Sequence, residues 1–383
     1  MSGGPILILD KCALQALSLA EVKALPRCFT INVPPILTLE VQSDLKKKKG
    51  LGKHGDSQME VQTLADKLIG LFDHDNNVHY RPMLQAELVG HSVEMRGVPV
   101  IQQAFKKVPT GNGTYGILIE EHPDRSRYRR WSERQFTPEE QQQAAQWREW
   151  SKKLNIEGLL PQLRKRAESL GKSTTLAEAL QIADKLLSAT PQDQFVGVPL
   201  RLCSFSRHIK EATANRWYRT QFKTLDYFVP YGKFVLRVIL LYSIGLANGL
   251  ITPKPTNVVD LEYLFYLPFC VVFSSGDKFV IQMAKALMTQ KQHFISRDEL
   301  KADMKAVADY DEADAEQRSI LAESYKSHPN GIFTHPMWST MNQLPWERPK
   351  RTLAGPESAL AYQKAIQIME ALNKFKDDQE ESR

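Results

Sequence analysis

Continuous apolar runs near both ends of the chain predict strands that are buried on both faces. Residues 5–9 read PILIL, and residues 270–273 read CVVF before a short polar stretch. Runs of this length are typical of strands in a parallel sheet, because helices cover both faces of such a sheet. Two more strands are predicted, in GTYGILIEEH at 113–122 and in QHFIS at 292–296. The strands at the two ends of the chain therefore predict one central sheet.

Most of the remaining chain has helical periodicity. LDKCALQALSLAEVKAL predicts one helix that ends before Pro26, and the double proline further on leads into a second helix, which carries Glu40. VVDLEYLFYLPF predicts a helix that starts close to Asp260. Between these parts, amphipathic and apolar segments over residues 58–251 predict a helical block.

Two breaks in the pattern divide the chain. The first is the lysine run at 46–49 with the glycine-containing GLGKHGD after it, and the second is the proline-containing ITPKPTN. We therefore expect an α/β domain with a parallel central sheet, built from both ends of the chain and interrupted by a large α-helical insertion. The domain parts are 1–45 and 253–300, the insertion is 46–252, and a helical extension with a polar tail is 301–383.

The composition is that of a globular protein with a slight excess of positive charge. Lys and Arg number 50 against 44 Asp and Glu, which favours anionic partners. The start of the chain lacks the pattern of a secretory signal, so we expect a cytoplasmic protein. The four cysteines are too far apart for a disulfide framework or a CxxC-type zinc site. No Walker loop, dinucleotide fingerprint or nucleophile elbow occurs, which leaves NTP-driven, redox and acyl-transfer chemistry without support.

One apolar stretch, at 234–251, is about as long as a short membrane span. It contains Arg237 and two glycines, and these residues favour a buried core helix over a transmembrane helix. We therefore expect no membrane partner.

Acidic residues follow the predicted strands at the positions where ligand sites form. Asp10 comes directly after PILIL and Asp277 after VVFSSG, and the carboxyl ends of parallel strands share one edge of a sheet. Glu40 and Asp260 lie on helices next to these strands. Four carboxylates at one place repel each other unless a hard divalent cation neutralises them. The set therefore predicts a site for Mg²⁺ or Mn²⁺ that can activate water for phosphodiester hydrolysis.

Each acid also has a structural alternative. Aspartate is a favoured N-cap residue, and an N-cap role would explain Asp260 without any function. Glu262 and Asp44 lie close enough along the chain to take the places of Asp260 and Glu40.

The motifs around the four acids resemble those of the PIN-domain nucleases, most closely the bacterial PIN-like branch that includes toxins and defence proteins. They are ILILD with Asp10, TLEV with Glu40, DLEYLFYLPF with Asp260 and FSSGD with Asp277. The resemblance implies a PIN-like α/β/α fold, Mg²⁺ or Mn²⁺ held by these acids, and endonucleolytic cleavage of RNA rather than DNA. It covers residues 5–45 and 256–297 and does not reach the insertion. The alternatives are an inactive PIN-like scaffold that binds nucleic acid or protein, and a metal-dependent DNA nuclease.

Several residues near the acids are candidates for substrate binding. Ser275 and Lys278 flank Asp277, where they could orient the carboxylate or touch a substrate phosphate. Lys46 and Lys47 begin the basic run after the Glu40 helix and could grip phosphates, with a solvated loop as the alternative.

A second basic segment, DRSRYRRWSERQ, carries Arg129 and Arg130 beside Tyr128 and Trp131. Arginines with aromatic rings suit phosphate contacts and stacking on unpaired bases, and they also suit an interface with a regulatory protein partner. RHIKEATANRWYRTQFK at 207–223 repeats this chemistry and the same two alternatives.

Two further groups have structural explanations. Glu87, His91 and Glu94 could be metal ligands on one helix, but their spacing favours a solvated helix face or a simple side-chain pair. DHDNN at 73–77 has the composition of a turn.

Overall fold

A computed structural model describes residues 4–47, 56–71, 75–97, 105–110, 114–119, 123–153, 156–168, 171–189, 195–197, 205–221, 224–314 and 317. Its strands are β1 (Ile6–Leu9), β2 (Thr30–Val33), β3 (Asp75–Asn76), β4 (Phe105–Thr110), β5 (Thr114–Ile119), β6 (Val272–Ser275) and β7 (His293–Ser296). Its main helices are α1 (Lys11–Ala16), α2 (Leu19–Cys28), α3 (Pro35–Ser43), α4 (Ser57–Gly70), α5 (Tyr80–Val89), α6 (Pro123–Ser132), α7 (Pro138–Lys153), α8 (Ile156–Glu168), α9 (Leu176–Ser188), α10 (Arg207–Arg219), α11 (Leu225–Phe228), α12 (Pro230–Ala247), α13 (Thr256–Leu264), α14 (Lys278–Leu287) and α15 (Arg297–Glu312).

A parallel sheet with strand order β2-β1-β6-β7 forms the core of the described chain. Every residue of β1 and β6 is buried, which explains the continuous apolar pattern of β1. β6 begins two residues later than the apolar run at 270–273 and ends with the buried Ser274 and Ser275. In the register of these two strands, Leu7 lies opposite Val272 and Leu9 opposite Ser274. The two ends of the chain thus form one sheet, and the predicted α/β class with a parallel central sheet is confirmed.

The sequence pattern did not predict β2 or the short β3 of this sheet, nor β4. β2 is only four residues long and is followed by Pro34, so the proline signal obscured it. β3 pairs in parallel with β2, with Asn32 opposite Asp75. The interpretation of DHDNN as a turn is therefore wrong for Asp75, while residues 73–74 lie outside the described part of the chain.

The strands predicted in the middle and near the end of the chain are both present. GTYGILIEEH contains β5, which pairs with β4 in a separate antiparallel hairpin, and QHFIS contains β7 at the edge of the main sheet. Both predictions are confirmed.

The first predicted helix is two helices in the structure, and its predicted end is wrong. Ser18 and Glu21 form a capping box: the Ser18 hydroxyl accepts from Glu21 N, and the Glu21 carboxylate accepts from Ser18 N. This box starts α2, which continues through Pro26 to Cys28. Proline removes one backbone donor from the helix, but the fully buried Leu25 and Cys28 hold its last turn in the core.

Helix α12 is long and apolar enough to cross a membrane, but 56% of its 18 residues are buried inside the protein. It packs against α8, α9 and α5. Its Arg237 donates twice to the Asp184 carboxylate of α9, at 2.6 and 2.9 Å. This packing is that of the predicted core helix, and the lack of a membrane partner stays a prediction. Cys12, Cys28 and Cys270 are free thiols, while Cys203 lies outside the described residues.

Candidate metal centre at the carboxyl edge of the sheet

Asp10 and Asp277 each follow a strand of the sheet and begin the next helix. Oδ1 of Asp10 accepts from the backbone N–H of Ala13 at 2.7 Å. Oδ1 of Asp277 accepts from the N–H groups of Phe279 and Val280 at 2.8 and 3.1 Å. Both aspartates are therefore N-caps, and these backbone bonds hold their carboxylates at the carboxyl edge of the sheet.

Ser275 links the two aspartates. Its hydroxyl donates to Oδ2 of Asp10 and accepts from the backbone N–H of Asp277 at 3.0 Å. The side chain is fully buried. Of the two roles considered for Ser275, its contacts are those of a residue that orients a carboxylate.

Glu40 and Asp260 reach the same place from helices α3 and α13. Oε2 of Glu40 accepts from the hydroxyl of Tyr263 at 2.5 Å, and Tyr263 lies on α13 three residues after Asp260. The helix starts at Thr256, earlier than the sequence predicted. Asp260 therefore lies inside the helix, and the N-cap explanation for it is wrong.

The pKa values of the acids reflect burial and mutual repulsion. The pKa of Asp10 is raised to about 6, mainly by burial and also by the charges of Glu40 and Asp277, while hydrogen bonds from Ser275 and Ala13 lower it. The pKa of Asp260 is raised to about 8, mainly by burial and also by the charges of Glu40, Asp277 and Asp10. Asp260 feels the charges of the other three acids, and Asp10 feels those of Glu40 and Asp277, so the four carboxylates form one electrostatic cluster.

This cluster fits a hard divalent cation by its chemistry. Its ligands are all carboxylate oxygens, which Mg²⁺ and Mn²⁺ prefer, and a cation would relieve the repulsion that raises the pKa values. Among the described residues, however, no three His, Cys, Asp or Glu side chains are arranged around one ion position. The acids are gathered, but their side chains do not form a closed coordination shell as they stand.

The two alternative acids have other partners. Asp44 is fully buried and pairs with Lys11 and Arg148, each at 2.6 Å. Glu262 lies 3.9 Å from Nε2 of His79. The pKa of Glu262 is raised to about 7, mainly by burial and also by the charge of Glu40, while the charge of Arg81 lowers it. Asp44 is thus committed to an ion-pair network, whereas Glu262 stays at the margin of the cluster.

The basic residues near the cluster differ in their surroundings. Lys278 is exposed and is the first residue of α14, beside Asp277. Lys46 is exposed, and its ammonium donates to Oε1 of Gln141 at 2.9 Å. Lys47 is the last described residue before a gap, and the other basic residues of that run, Lys48, Lys49, Lys53 and His54, lie outside the described part.

The rings of DRSRYRRWSERQ are part of the core, so their predicted stacking on bases is wrong. Tyr128 and Trp131 are both fully buried, and the Tyr128 hydroxyl shares a hydrogen bond of 2.5 Å with Thr38 on α3. Arg130 pairs with Glu140 at 2.7 Å, while Arg129 is exposed. Helix α6 packs against α4. An amphipathic helix with aromatic rings on its buried face and arginines on its other face gives the same sequence pattern as a segment that binds nucleic acid.

Two of the residues on helix α10 that were candidates for nucleic-acid contact, Arg216 and Trp217, instead hold the fold together. The Arg216 guanidinium donates to the carbonyl oxygens of Glu87, Leu88 and Phe228 at 2.7, 3.2 and 2.9 Å. Trp217 is buried. Arg216 therefore satisfies backbone acceptors, and Trp217 is not available for stacking.

Glu87 is buried, so its predicted place on a solvated helix face is wrong. Its carboxylate accepts from the backbone N–H groups of Tyr231 and Gly232 at 2.9 and 2.7 Å. These groups belong to the first turn of α12, where a negative charge is stabilised. His91 and Glu94 are exposed, as predicted, but they follow the end of α5 at Val89 and so do not lie on the predicted helix face.

Sequence reasoning missed the polar partners of the acids. Tyr263 could have been found, because residues three apart on a helix share a face and Asp260 was already a candidate. Arg148 gave no signal, since it comes from the insertion, far along the chain from Asp44.

No protein-family profile matches the chain, and no curated protein or solved structure matches it significantly.

Proposed function

We propose that this chain is a metal-dependent nuclease with a PIN-like α/β/α domain, and that it cuts RNA endonucleolytically as a toxin or defence protein. The observation that carries the proposal is the cluster of Asp10, Glu40, Asp260 and Asp277 at the carboxyl edge of a parallel sheet. A scaffold has no physical need for four carboxylates that repel each other, because their ionisation opposes folding. A metal ion bound between the four carboxylates would neutralise their repulsion, and a metal site therefore accounts for the cluster.

The chain's own residues hold and orient the acids. Backbone N–H groups fix Asp10 and Asp277, and Ser275 sets the direction of the Asp10 carboxylate. Tyr263 holds Glu40 toward the helix that carries Asp260. Mg²⁺ or Mn²⁺, when bound by these carboxylates, supplies a more acidic water and offsets negative charge on the phosphate.

The direct test is cleavage of labelled RNA by the full chain with and without Mn²⁺. Asp10→Asn and Asp277→Asn should stay folded, because asparagine is as good an N-cap as aspartate. We expect each to lose at least about 100-fold in activity, as is typical when a group that organises charge at the reacting phosphate is removed. Asp226→Asn is the control, since that side chain is 69% exposed and pairs with Lys233, away from the four acids in the sequence.

Undiminished cutting by both variants would overturn the proposal. Single-stranded and duplex DNA belong in the same panel, because the metal chemistry attacks either backbone. Cutting of DNA but not RNA would keep the nuclease and change its substrate.

A specific observation supports the second candidate, an inactive scaffold that binds nucleic acid or protein. No three acids among the described residues surround one ion position, and Glu40 already has a hydrogen-bond partner in Tyr263. Calorimetric titration with Mn²⁺ separates the two candidates. Binding that Asp10→Asn abolishes supports the nuclease, and its absence in the folded wild type supports the scaffold.

A further inference from the structure

The hydroxyl of Tyr242 is buried without a hydrogen-bond partner among the described residues. Tyr242 lies on α12, in the predicted helical insertion, and only 6% of it is exposed. No atom of the described chain donates a hydrogen bond to this hydroxyl or accepts one from it. A buried hydroxyl without a partner costs free energy, and a phenylalanine would fill the same space without this cost. The hydroxyl therefore indicates a role beyond packing.

The ring of Tyr242 is held next to two helices of the acid cluster. It packs edge-on against the ring of Phe279, with the ring centres 5.7 Å apart and the planes at 71°. Phe279 lies in the first turn of α14, and its backbone N–H donates to Oδ1 of Asp277 at 2.8 Å. Helix α12 also packs against α13, which carries Asp260. The side chain of Tyr242 therefore lies at the border of the cluster.

Asp260 is the acid of the cluster whose charge reaches the Tyr242 hydroxyl. The pKa of Tyr242 is raised to about 12, mainly by burial and also by the charge of Asp260. The hydroxyl thus keeps its proton at neutral pH and can donate a hydrogen bond. No hydrogen bond joins the two side chains in the structure. They are neighbours with complementary chemistry, a donor and an acceptor.

Asp260 is also the one acid of the four whose carboxylate has no hydrogen-bond donor among the described residues. Backbone N–H groups donate to Asp10 and Asp277, and the Tyr263 hydroxyl donates to Glu40. Carboxylates that bind a metal ion are in turn hydrogen-bonded to outer groups, which set their direction. One acid of the cluster thus lacks a donor, and the neighbouring helix α12 holds a buried donor that has no acceptor.

We propose that Tyr242 is the positioning residue of Asp260, and that its hydroxyl donates to the Asp260 carboxylate when this carboxylate binds the metal ion. The inference rests on the proposed function and deepens it, because it gives Asp260 the kind of support that Tyr263 gives to Glu40. It also assigns part of the metal centre to the predicted insertion, since α12 lies between β3 and β6 along the chain.

The test compares Mn²⁺ binding by the full chain and by its Tyr242→Phe variant, measured by calorimetry. The variant keeps the ring against Phe279 and loses only the hydroxyl, so it should be at least as stable as the wild type in urea with EDTA. Its Mn²⁺ affinity should fall at least about 10-fold, the usual cost of losing an outer partner of a metal ligand. Tyr218→Phe is the matched control and should leave the affinity unchanged, since Tyr218 is 66% exposed on α10.

A crystal structure of the Mn²⁺-bound wild type tests the contact itself. The Tyr242 hydroxyl should lie about 2.5–3.0 Å from a carboxylate oxygen of Asp260, and a separation above about 3.5 Å overturns the proposal. A Tyr242→Phe protein that binds Mn²⁺ as tightly as the wild type also overturns it. So does a Tyr242→Phe protein that is less stable than the wild type in EDTA, because the hydroxyl would then support the fold rather than the metal site.

The outcomes also separate this inference from the nuclease assignment. RNA cleavage by the wild type, together with an unchanged Mn²⁺ affinity of Tyr242→Phe, overturns the role of Tyr242 and leaves the nuclease standing. Mn²⁺ binding that depends on the Tyr242 hydroxyl, without cleavage of RNA or DNA, supports the positioning role and overturns the nuclease. A folded wild type that binds no Mn²⁺ overturns both.

Discussion

The hydroxyl of Tyr263 donates to Oε2 of Glu40 over 2.5 Å, and the tyrosine is almost completely buried. Tyr263 lies on α13 together with Asp260, so one helix carries an acid of the cluster and the donor to another. The bond lowers the pKa of Glu40, while burial, the larger effect, raises it. Tyr263 therefore favours the ionised form of Glu40, which is the form that binds a metal ion.

Tyr263→Phe should shift the pH dependence of Mn²⁺ binding. The phenyl ring fills the same space, but Glu40 loses its donor, and its pKa rises. A hydrogen bond to a charged group contributes about 1.5–3 kcal/mol, so we expect a shift of about one pH unit upward. Calorimetry over a pH series measures this shift. Tyr231→Phe, which removes a buried hydroxyl bonded to Phe265 O, is the control, and an unshifted Tyr263→Phe profile would contradict the prediction.

Asp260→Asn should stabilise the protein at alkaline pH when no metal is present. The pKa of Asp260 is raised from 3.8 to about 8 in the folded state. The folded chain thus binds this proton more tightly than the unfolded chain, and stability falls as pH rises between these values. We expect a gain of about 1–2 kcal/mol at pH values above about 8, and none near pH 4, since one pKa unit corresponds to about 1.4 kcal/mol.

Urea denaturation of Asp260→Asn in EDTA at the two pH values tests this gain. Added Mn²⁺ should then stabilise the wild type more than the variant, because the variant lacks one negative ligand. A variant that is less stable than the wild type at alkaline pH in EDTA would refute the raised pKa of Asp260.

Substitution of two aspartates that lie equally far from a lysine should change the free energy of unfolding by different amounts. Asp44 and Asp226 each lie 2.6 Å from a lysine ammonium, but Asp44 is fully buried and Asp226 is 69% exposed. Asp44→Asn leaves Lys11 and Arg148 with a neutral partner, and we expect a loss of about 3–5 kcal/mol in the free energy of unfolding. Asp226→Asn should cost less than about 1 kcal/mol.

Urea titration of both variants measures this contrast, and equal losses would contradict it. The pair also distinguishes the ion-pair network from the metal site. Asp44→Asn should keep Mn²⁺ binding in the folded protein, whereas Glu40→Gln should lose it.

Glu87→Ala should destabilise the start of α12. The substitution removes the acceptor of the Tyr231 and Gly232 N–H groups, which are then buried without a partner. We expect a loss of about 2–4 kcal/mol, the combined cost of two unpaired donors and a small cavity. Glu94→Ala is the matched control, since this exposed side chain should change stability by less than about 0.5 kcal/mol. Equal effects of the two substitutions would show that Glu87 does not cap the helix.

The sheet was predictable where its residues carry a local pattern. β1 and β6 are buried on both faces, so each contains or adjoins a continuous apolar run, PILIL before Asp10 and CVVF before the two serines of β6. β2 was missed because its sequence, TINV, mixes polar and apolar residues and is followed directly by two prolines. The start of α13 was also misplaced, since Pro255 at its N-cap gives the same signal as a break in a loop.

The ranking of the acids changed with the structure. On sequence alone, Asp260 was the weakest member, because an N-cap role explained it. The structure gives the N-cap role to Asp10 and Asp277 and places Asp260 inside a helix, with its pKa raised to about 8. The aromatic residues of DRSRYRRWSERQ were candidates for base stacking on sequence alone, but Tyr128 and Trp131 are core residues in the structure.

By itself, the sequence determined that apolar strands tipped with acids occur at both ends of the chain, because burial along a strand and polarity at its end are local properties. Only the tertiary structure decided which groups face those acids, among them Tyr263 beside Glu40 and Ser275 beside Asp10. Hydrogen bonds and charge interactions depend on distance in space, and separation along the chain does not set that distance.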